Sequence, residues 1–138
     1  MDEVKRQEMF AVTNRPGGFT DYIGVLITRV EDGIAESRAE VTDHHMNPIG
    51  TVHGGVLMTM MDQAAGTASA SVSPAGGTVN CDIHFLAPAK KGRLLCRAEV
   101  LRKGGRINVV HAQVQDDQGT LVADGTYTFS HPVQEKNE

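Results

Sequence analysis

The stretch NPIGTVHGGVLMTMMDQAAGTASA, residues 47–70, reads as a turn followed by a long helix that is apolar nearly all round. Other elements must surround such a helix, because no stripe of it is suited to water. Between His44 and Cys81 the sole formal charge is Asp62. An unpaired buried carboxylate is costly. Asp62 therefore lies on a stripe that faces solvent, caps a neighbouring loop, or takes part in chemistry.

The segments on either side of this helix predict strands. Two half-exposed strands, residues 22–30 and 35–42, precede the helix, and four follow it at 78–88, 92–102, 106–115 and 120–129. Turn signals predict that the last three form an antiparallel meander. A strongly curved antiparallel sheet wrapped around one long central helix buries that helix economically, which predicts an α+β fold. Small residues in the second half of the helix would allow close approach by the sheet or a neighbouring helix; they are Ala64, Ala65, Gly66, Ala68 and Ala70.

The two ends of the chain and the first strand after the helix carry further expectations. Residues 2–14 predict a short amphipathic N-terminal helix, and residues 130–138 predict a frayed tail. In the strand at 78–88, the alternation of side chains predicts one face made of Val79, Cys81, Ile83 and Phe85.

Length, charge and cysteine usage narrow the class of protein. The 138 residues fit a single domain, 1–138, and a net charge of -4 lacks the basic excess of a nucleic-acid binder. No apolar run approaches the roughly 20 residues that cross a bilayer, and the start has no signal-peptide core, so we expect a cytoplasmic protein without membrane contact. Cys81 and Cys96 have no CxxC spacing and lie in apolar stretches, which predicts buried reduced thiols.

The start of the central helix could bind an anion. Gly54 and Gly55 leave the first backbone amides unobstructed, and an oxyanion formed at a carbonyl could be held there with help from the helix dipole. Equally, the two glycines could only permit a tight turn and close packing. Asn47 and His53 flank this turn, either as turn-stabilising and helix-capping side chains or as groups that orient a carbonyl or a water.

Helix geometry limits how these groups act together. Gly54 and Asp62 are eight positions apart, which is about 12 Å along one helix at 1.5 Å per residue. One reacting carbonyl needs a hydrogen-bond donor and a base that each lie within roughly 3 Å. If both groups act on it, the amide comes from one subunit and the carboxylate from another across a two-fold axis.

The stretch NPIGTVHGGVLMTMMDQAAG resembles the signature of hotdog-fold acyl-CoA thioesterases of the phenylacetate-degradation type, in the 4-hydroxybenzoyl-CoA thioesterase superfamily. Its pattern is an Asn, a short gap, a Gly, a His-Gly-Gly turn and an Asp on the following helix. The order of elements and IHFLAPAKKG after the helix are similar too, from about residue 19 to residue 129. The resemblance implies a sheet wrapped around the long helix, dimers with a continuous sheet, and homotetramers built as dimers of dimers.

The resemblance also implies roles for individual residues. The family's acid, a general base or a nucleophile towards the thioester carbonyl, matches Asp62. Its oxyanion-hole amide matches Gly54, its carbonyl-orienting asparagine matches Asn47, and its turn histidine matches His53. The hydroxyl that positions water in some members matches Thr78, with Thr67 or Ser71 as alternatives.

The substrate of such a protein would be an acyl-CoA. Under this reading the expected substrate-binding residues are Gly55, Met58, Met61, Phe85, Lys90, Lys91 and Arg106. The basic residues among them are either ordinary solvated loop charges or contacts for the nucleotide phosphates. Aryl and arylacetyl groups are favoured by analogy, and medium-chain fatty acyl groups stay open.

Metal binding, hydration of an acyl-CoA and non-catalytic binding are the alternative functions. No cofactor is expected, and the spacing of His44, His45 and His53 fits no standard metal-ligand set. A hydratase on the same fold wants a closely paired carboxylate and histidine, whereas His53 is nine positions from Asp62. The remaining alternative is a non-catalytic module that binds acyl-CoA or another small ligand.

Overall fold

The computed structural model describes residues 1–133. Two short helices, α1 (Glu3–Thr13) and α2 (Phe19–Tyr22), precede a hairpin of β1 (Leu26–Glu31) and β2 (Ile34–Glu40). A 3-10 turn (Asp43–His45) then leads to the long helix α3 (Gly54–Val72). The remaining strands are β3 (Gly77–Phe85), β4 (Arg93–Lys103), β5 (Ile107–Gln115) and β6 (Leu121–Ser130). The predicted order of two strands, one long helix and four strands is confirmed.

All six strands join one antiparallel sheet in the order β1-β2-β4-β5-β6-β3. The predicted meander of the last three strands is confirmed. β3 pairs with β6, so β1 and β3 form the two edges of the sheet in the described chain. Pairing of β3 with β6 places the strand that follows α3 at the far side of the sheet from the first hairpin.

Helix α3 contacts all six strands, as the prediction of a sheet wrapped around it requires. Met60, Met61, Ala64, Ala65 and Ala68 on this helix are fully buried. Close approach explains the small residues: a Cβ on Gly66 would lie 3.2 Å from the Phe129 ring of β6. Burying these apolar side chains supplies the main stabilisation of the fold.

The first strand starts later than predicted. Tyr22 ends the short helix α2 instead of opening a strand, and β1 begins at Leu26. Gly24 between them has a φ of 73°, a left-handed conformation that breaks an extended run and that glycine adopts readily.

The prediction that both cysteines are buried is wrong for Cys81. This residue lies on the edge strand β3, where it is exposed, whereas Cys96 on the central strand β4 is buried. A register shift between Thr78 and Asn80 also interrupts the predicted alternation, and of the expected apolar face only Ile83 is half-buried. The alternating pattern predicted strand β3 correctly, but it did not reveal that β3 is an edge strand of the sheet in the described chain.

The predicted frayed tail is wrong where it is described. Ser130 ends β6, and the backbone N–H of the buried His131 donates to the Arg106 carbonyl at 2.8 Å. The rest of that prediction, residues 134–138, lies outside the described residues. Among residues 1–133 no helix combines the length and the apolar character needed to cross a membrane.

Candidate active site

Asp62 and Thr78 meet across the gap between α3 and β3. The Thr78 Oγ1 donates a 2.6 Å hydrogen bond to Asp62 Oδ1, although the two residues are 16 positions apart. Asp62 is half-buried on the helix, and Thr78 is exposed on the second residue of the edge strand. The bond leaves Asp62 Oδ2 with no partner among residues 1–133. A carboxylate oxygen held in this way can accept a proton or attack an electrophile.

A cavity of about 470 Å³ surrounds this pair. Ligand sites typically enclose 300–1,000 Å³, so the cavity is large enough for an acyl group. Sequence reasoning found three of its lining residues, Met58, Asp62 and Thr78, and missed the others. The missed residues are Phe19, Thr20, Thr59, Gln63, Cys81 and Tyr127.

Tyr127 is the missed residue with the clearest structural role. Its side chain is 1% exposed, and its hydroxyl donates to the Met58 carbonyl at 2.8 Å. Helical geometry gives that carbonyl a second partner, the Asp62 amide four residues on. Burial raises the pKa of the Tyr127 phenol, so it stays a protonated donor at neutral pH. In the sequence its position at alternate spacing on β6 indicated only a core residue.

The amide of Gly54 opens helix α3 in a different cavity. As the first residue of the helix it has no intrahelical acceptor for its N–H, and it has no other hydrogen-bond partner within residues 1–133. The cavity, of about 370 Å³, is also lined by Asn47 and Phe85. A Cβ on Gly54 would lie 3.2 Å from the Phe85 ring. Because glycine has no Cβ, Gly54 fits under the Phe85 ring, and its backbone N–H lies unpaired beside that ring.

Asn47 and His53 hold the turn in front of this amide. Asn47 Oδ1 accepts from the backbone N–H groups of Ile49 and Thr51, and its Nδ2 donates to Thr51 Oγ1 at 2.7 Å. His53 is the N-cap of α3, because its Nδ1 accepts from the Gly55 N–H at 2.8 Å. The Gly55 N–H is therefore engaged in the cap, whereas the Gly54 N–H has no hydrogen-bond partner within residues 1–133.

The acid and the free amide thus line separate cavities of one chain. Asp62 lies in the first cavity and Gly54 in the second, at positions nine and one of the same helix. This arrangement agrees with the spacing of about 12 Å expected from the sequence. One copy of the chain does not bring both groups to one carbonyl.

The remaining predicted residues are spread over the structure. Met61 is fully buried, and Met58 lines the Asp62 cavity with 40% exposure. Lys90 and Lys91 precede β4 and Arg106 precedes β5, so they lie at opposite ends of an 11-residue strand. At about 3.3 Å per residue that separation is roughly 30 Å. The three basic residues of one chain therefore do not bind the same phosphate.

Of the two adjacent histidines, His44 and His45, the second is engaged in the local fold. His45 Nδ1 accepts from the Thr42 N–H, and its Nε2 lies 2.6 Å from the Ile23 carbonyl as donor. Both ring nitrogens are thus occupied. Across the described part of the chain, no group of three or more His, Cys, Asp or Glu residues is placed to hold a metal ion.

Comparison with known proteins finds a family model and related sequences that match this chain. The family model described as the thioesterase superfamily matches residues 49–123. The 1,4-dihydroxy-2-naphthoyl-CoA hydrolase of Listeria monocytogenes is 30% identical over 116 residues, which are 82% of this chain and 94% of that protein. Acyl-coenzyme A thioesterase 13 of Homo sapiens is 25% identical over 127 residues, 88% of this chain and 91% of that protein.

A solved structure shows the same architecture. The E. coli PaaI protein from the phenylacetic acid degradation operon has a TM-score of 0.86 and covers 95% of this chain and 96% of that chain. Because its identity is 23%, this likeness bears on the fold alone. Together with the family match it confirms the predicted hotdog fold.

Proposed function

This chain belongs to the thioesterase superfamily, and from that premise we propose that it hydrolyses acyl-CoA thioesters to a free acid and coenzyme A. The observation that carries the proposal is the half-buried Asp62, which accepts a 2.6 Å hydrogen bond from the Thr78 hydroxyl inside a cavity of ligand size. Asp62 and Thr78 both lie within the family-matched residues 49–123.

The chemistry follows from two groups that have no hydrogen-bond partner within residues 1–133, Asp62 Oδ2 and the Gly54 N–H. Water, or Asp62 Oδ2 itself, attacks the thioester carbonyl carbon, and the carbonyl oxygen becomes an oxyanion. The Gly54 amide stabilises that oxyanion by a hydrogen bond, reinforced by the N-terminal dipole of a 19-residue helix. The carbon–sulfur bond then breaks and coenzyme A leaves as a thiolate. When water is the nucleophile, Asp62 accepts its proton; when Asp62 attacks, water hydrolyses the resulting anhydride.

Two subunits supply one site in this proposal. Within residues 1–133 the edge strand β3 is paired on one side only, and its Val79 and Phe85 are 57% and 53% exposed. An unpaired strand edge of this kind can pair with a strand of another chain. Antiparallel pairing of β3 with β3 of a second copy would extend the sheet and place the two helices side by side. The Asp62 of one copy could then approach the Gly54 of the other. We propose a homodimer as the smallest active form and a dimer of dimers as the assembly.

The preferred acyl group is aryl or arylacetyl. Phe19, Met58 and Tyr127 line the Asp62 cavity and offer flat or adaptable apolar walls to a ring. The Listeria relative is named as a hydrolase of an aromatic acyl-CoA, which supports this preference. The proposal also includes a role in phenylacetate degradation. It further includes contacts of Lys90, Lys91 or Arg106 with the nucleotide phosphates of coenzyme A. A cytoplasmic location is proposed with them, since a reducing compartment keeps thiols free.

Thiol release from a panel of phenylacetyl, hydroxybenzoyl and fatty acyl-CoAs tests the proposal. General-base or nucleophilic catalysis by Asp62 predicts that Asp62→Asn lowers turnover by about 10²–10⁴-fold. Asp117→Asn, in the exposed loop before β6, is the matched control and should keep wild-type rates. Equal rates for wild type and Asp62→Asn would refute the assignment of Asp62. Thermal stabilisation by intact acyl-CoA without any thiol release from wild type would support the non-catalytic binding module instead.

A further inference from the structure

A third cavity of ligand size, separate from those of Asp62 and Gly54, lies at the β1 edge of the sheet. It measures about 490 Å³, within the usual range of small-molecule sites. Its apolar walls include Tyr22, Ile23 and Leu26. None of its lining residues is shared with the cavities that hold the proposed catalytic groups.

Arg38 is the one arginine of the described chain in the lining of this cavity. The burial pattern of β2 points Ser37 and Ala39 inward, so Arg38 points to the outer face of the sheet. Its cross-strand neighbours there are Leu26 on β1 and Leu95 on β4. Arg38 as a whole residue is half-buried beside these apolar side chains and lines the cavity.

Arg38 has no ion pair and no hydrogen bond within residues 1–133. The acids beside it on β2 are already taken: Glu36 lies 3.2 Å from Arg29 and 3.8 Å from Arg97, and Glu40 lies 2.9 Å from Arg93. Arg38 is thus half-buried without a direct counter-ion. An incoming anion would supply one through charge-assisted hydrogen bonds.

The two carboxylates that line the cavity, Asp21 and Glu40, are exposed, and each already has a partner. Asp21 Oδ2 is bound to the Gly17 N–H at 2.9 Å, and the Glu40 carboxylate is bound to Arg93. His44 is exposed at the rim and offers a further ring donor. A planar guanidinium matches a carboxylate with two parallel hydrogen bonds, whereas a phosphate would bring a second charge that one arginine does not balance.

We propose that this cavity binds a small carboxylic acid with an apolar body, held by Arg38 through its carboxylate and by the apolar walls through its ring or chain. This binding is independent of the thioesterase reaction. Only one connection rests on the proposed function: the acid released by thioester hydrolysis belongs to the same chemical class, so the product could occupy this second site.

Phenylacetate titrated into ¹⁵N-labelled protein tests the proposal, with phenylacetamide as its uncharged analogue. We expect phenylacetate to shift the amide signal of Ala39, and phenylacetamide to bind at least about tenfold more weakly. Arg38→Gln should weaken phenylacetate binding by a similar factor. Arg102→Gln removes an exposed guanidinium that also has no partner in the described chain, and it should leave binding unchanged.

Three outcomes would overturn the proposal. The first is a shift confined to Thr78 and its neighbours, which would place the acid in the Asp62 cavity instead. The second is equal binding of phenylacetate to wild type and Arg38→Gln. The third is tighter binding of inorganic phosphate than of phenylacetate at the same signals. Because no thioester is present, these results are independent of whether the chain hydrolyses acyl-CoA.

Discussion

Replacing Gly54 with proline should remove the proposed oxyanion donor and leave helix α3 in place. Gly54 is the first residue of the helix, the position where proline is favoured because its N–H has no intrahelical acceptor. His53 before it has φ of -60° and ψ of 135°, the extended conformation that a residue preceding proline prefers. The substitution therefore deletes one N–H with little cost to the backbone.

The expected size of the effect comes from the free amide. Loss of one oxyanion-hole donor costs about 10²–10³-fold in kcat, or about 2.7–4 kcal/mol of transition-state stabilisation. Gly54→Ala is the matched control: it introduces the same Cβ, 3.2 Å from the half-exposed Phe85 ring, but keeps the N–H. Thiol release should therefore fall steeply for Gly54→Pro and only modestly for Gly54→Ala, while circular dichroism stays that of the wild type.

Two results would refute this reasoning. Near-wild-type kcat in Gly54→Pro would mean that the amide does not stabilise the oxyanion. Equal losses in the alanine and proline variants would assign the effect to crowding of Phe85 instead of the missing donor.

Mixing two inactive variants tests whether each site is shared between subunits. In a mixed dimer of Gly54→Pro with Asp62→Asn, one site combines two intact groups and the other combines two altered ones. Unfolding and refolding the two proteins together in equal amounts should restore about a quarter of wild-type activity, since about half of the dimers are mixed. Failure to gain activity, with mixed dimers demonstrated by mass spectrometry, would place both groups of a site in one chain.

Three further predictions address the neighbouring groups. Thr78→Val should lower kcat/KM about tenfold in the thiol-release assay, because it removes a hydrogen bond to a carboxylate that is worth about 1.5 kcal/mol at a partly exposed site. Thr78→Ser keeps a hydroxyl and should restore kcat/KM in the same assay. Tyr127→Phe should lower the free energy of unfolding in urea by about 1 kcal/mol, since the Met58 carbonyl loses a buried donor; an unchanged denaturation midpoint would contradict the contact. Burial raises the pKa of Cys96 to about 12, so its thiolate is scarce at pH 8. Cys96 should therefore react slowly with a disulfide reagent in the folded protein and rapidly after unfolding; rapid reaction of both thiols in the folded protein would contradict the burial.

Much of the fold could be read from local pattern. The long apolar run at residues 54–72 and the alternating segments around it predicted the helix, the strands and the meander, because periodicity reports which faces of an element are buried. The isolation of Asp62 in that run marked it as a candidate, and helix rise alone separated it from Gly54 by about 12 Å. These inferences need only residues close together in sequence.

The surroundings of the site depended on contacts that sequence spacing does not report. Pairing of β3 with β6 set Thr78 beside Asp62 and left Cys81 on an exposed edge, against the prediction that this thiol is buried. The same packing brought Tyr127 from the last strand to the Met58 carbonyl, 69 positions away. Apolar alternation tells which side of a strand is buried, but the identity of the neighbour is decided by which strands pair and how they wrap the helix. The amino-acid sequence therefore determined the elements and the candidate acid, and the tertiary structure decided the groups that surround that acid.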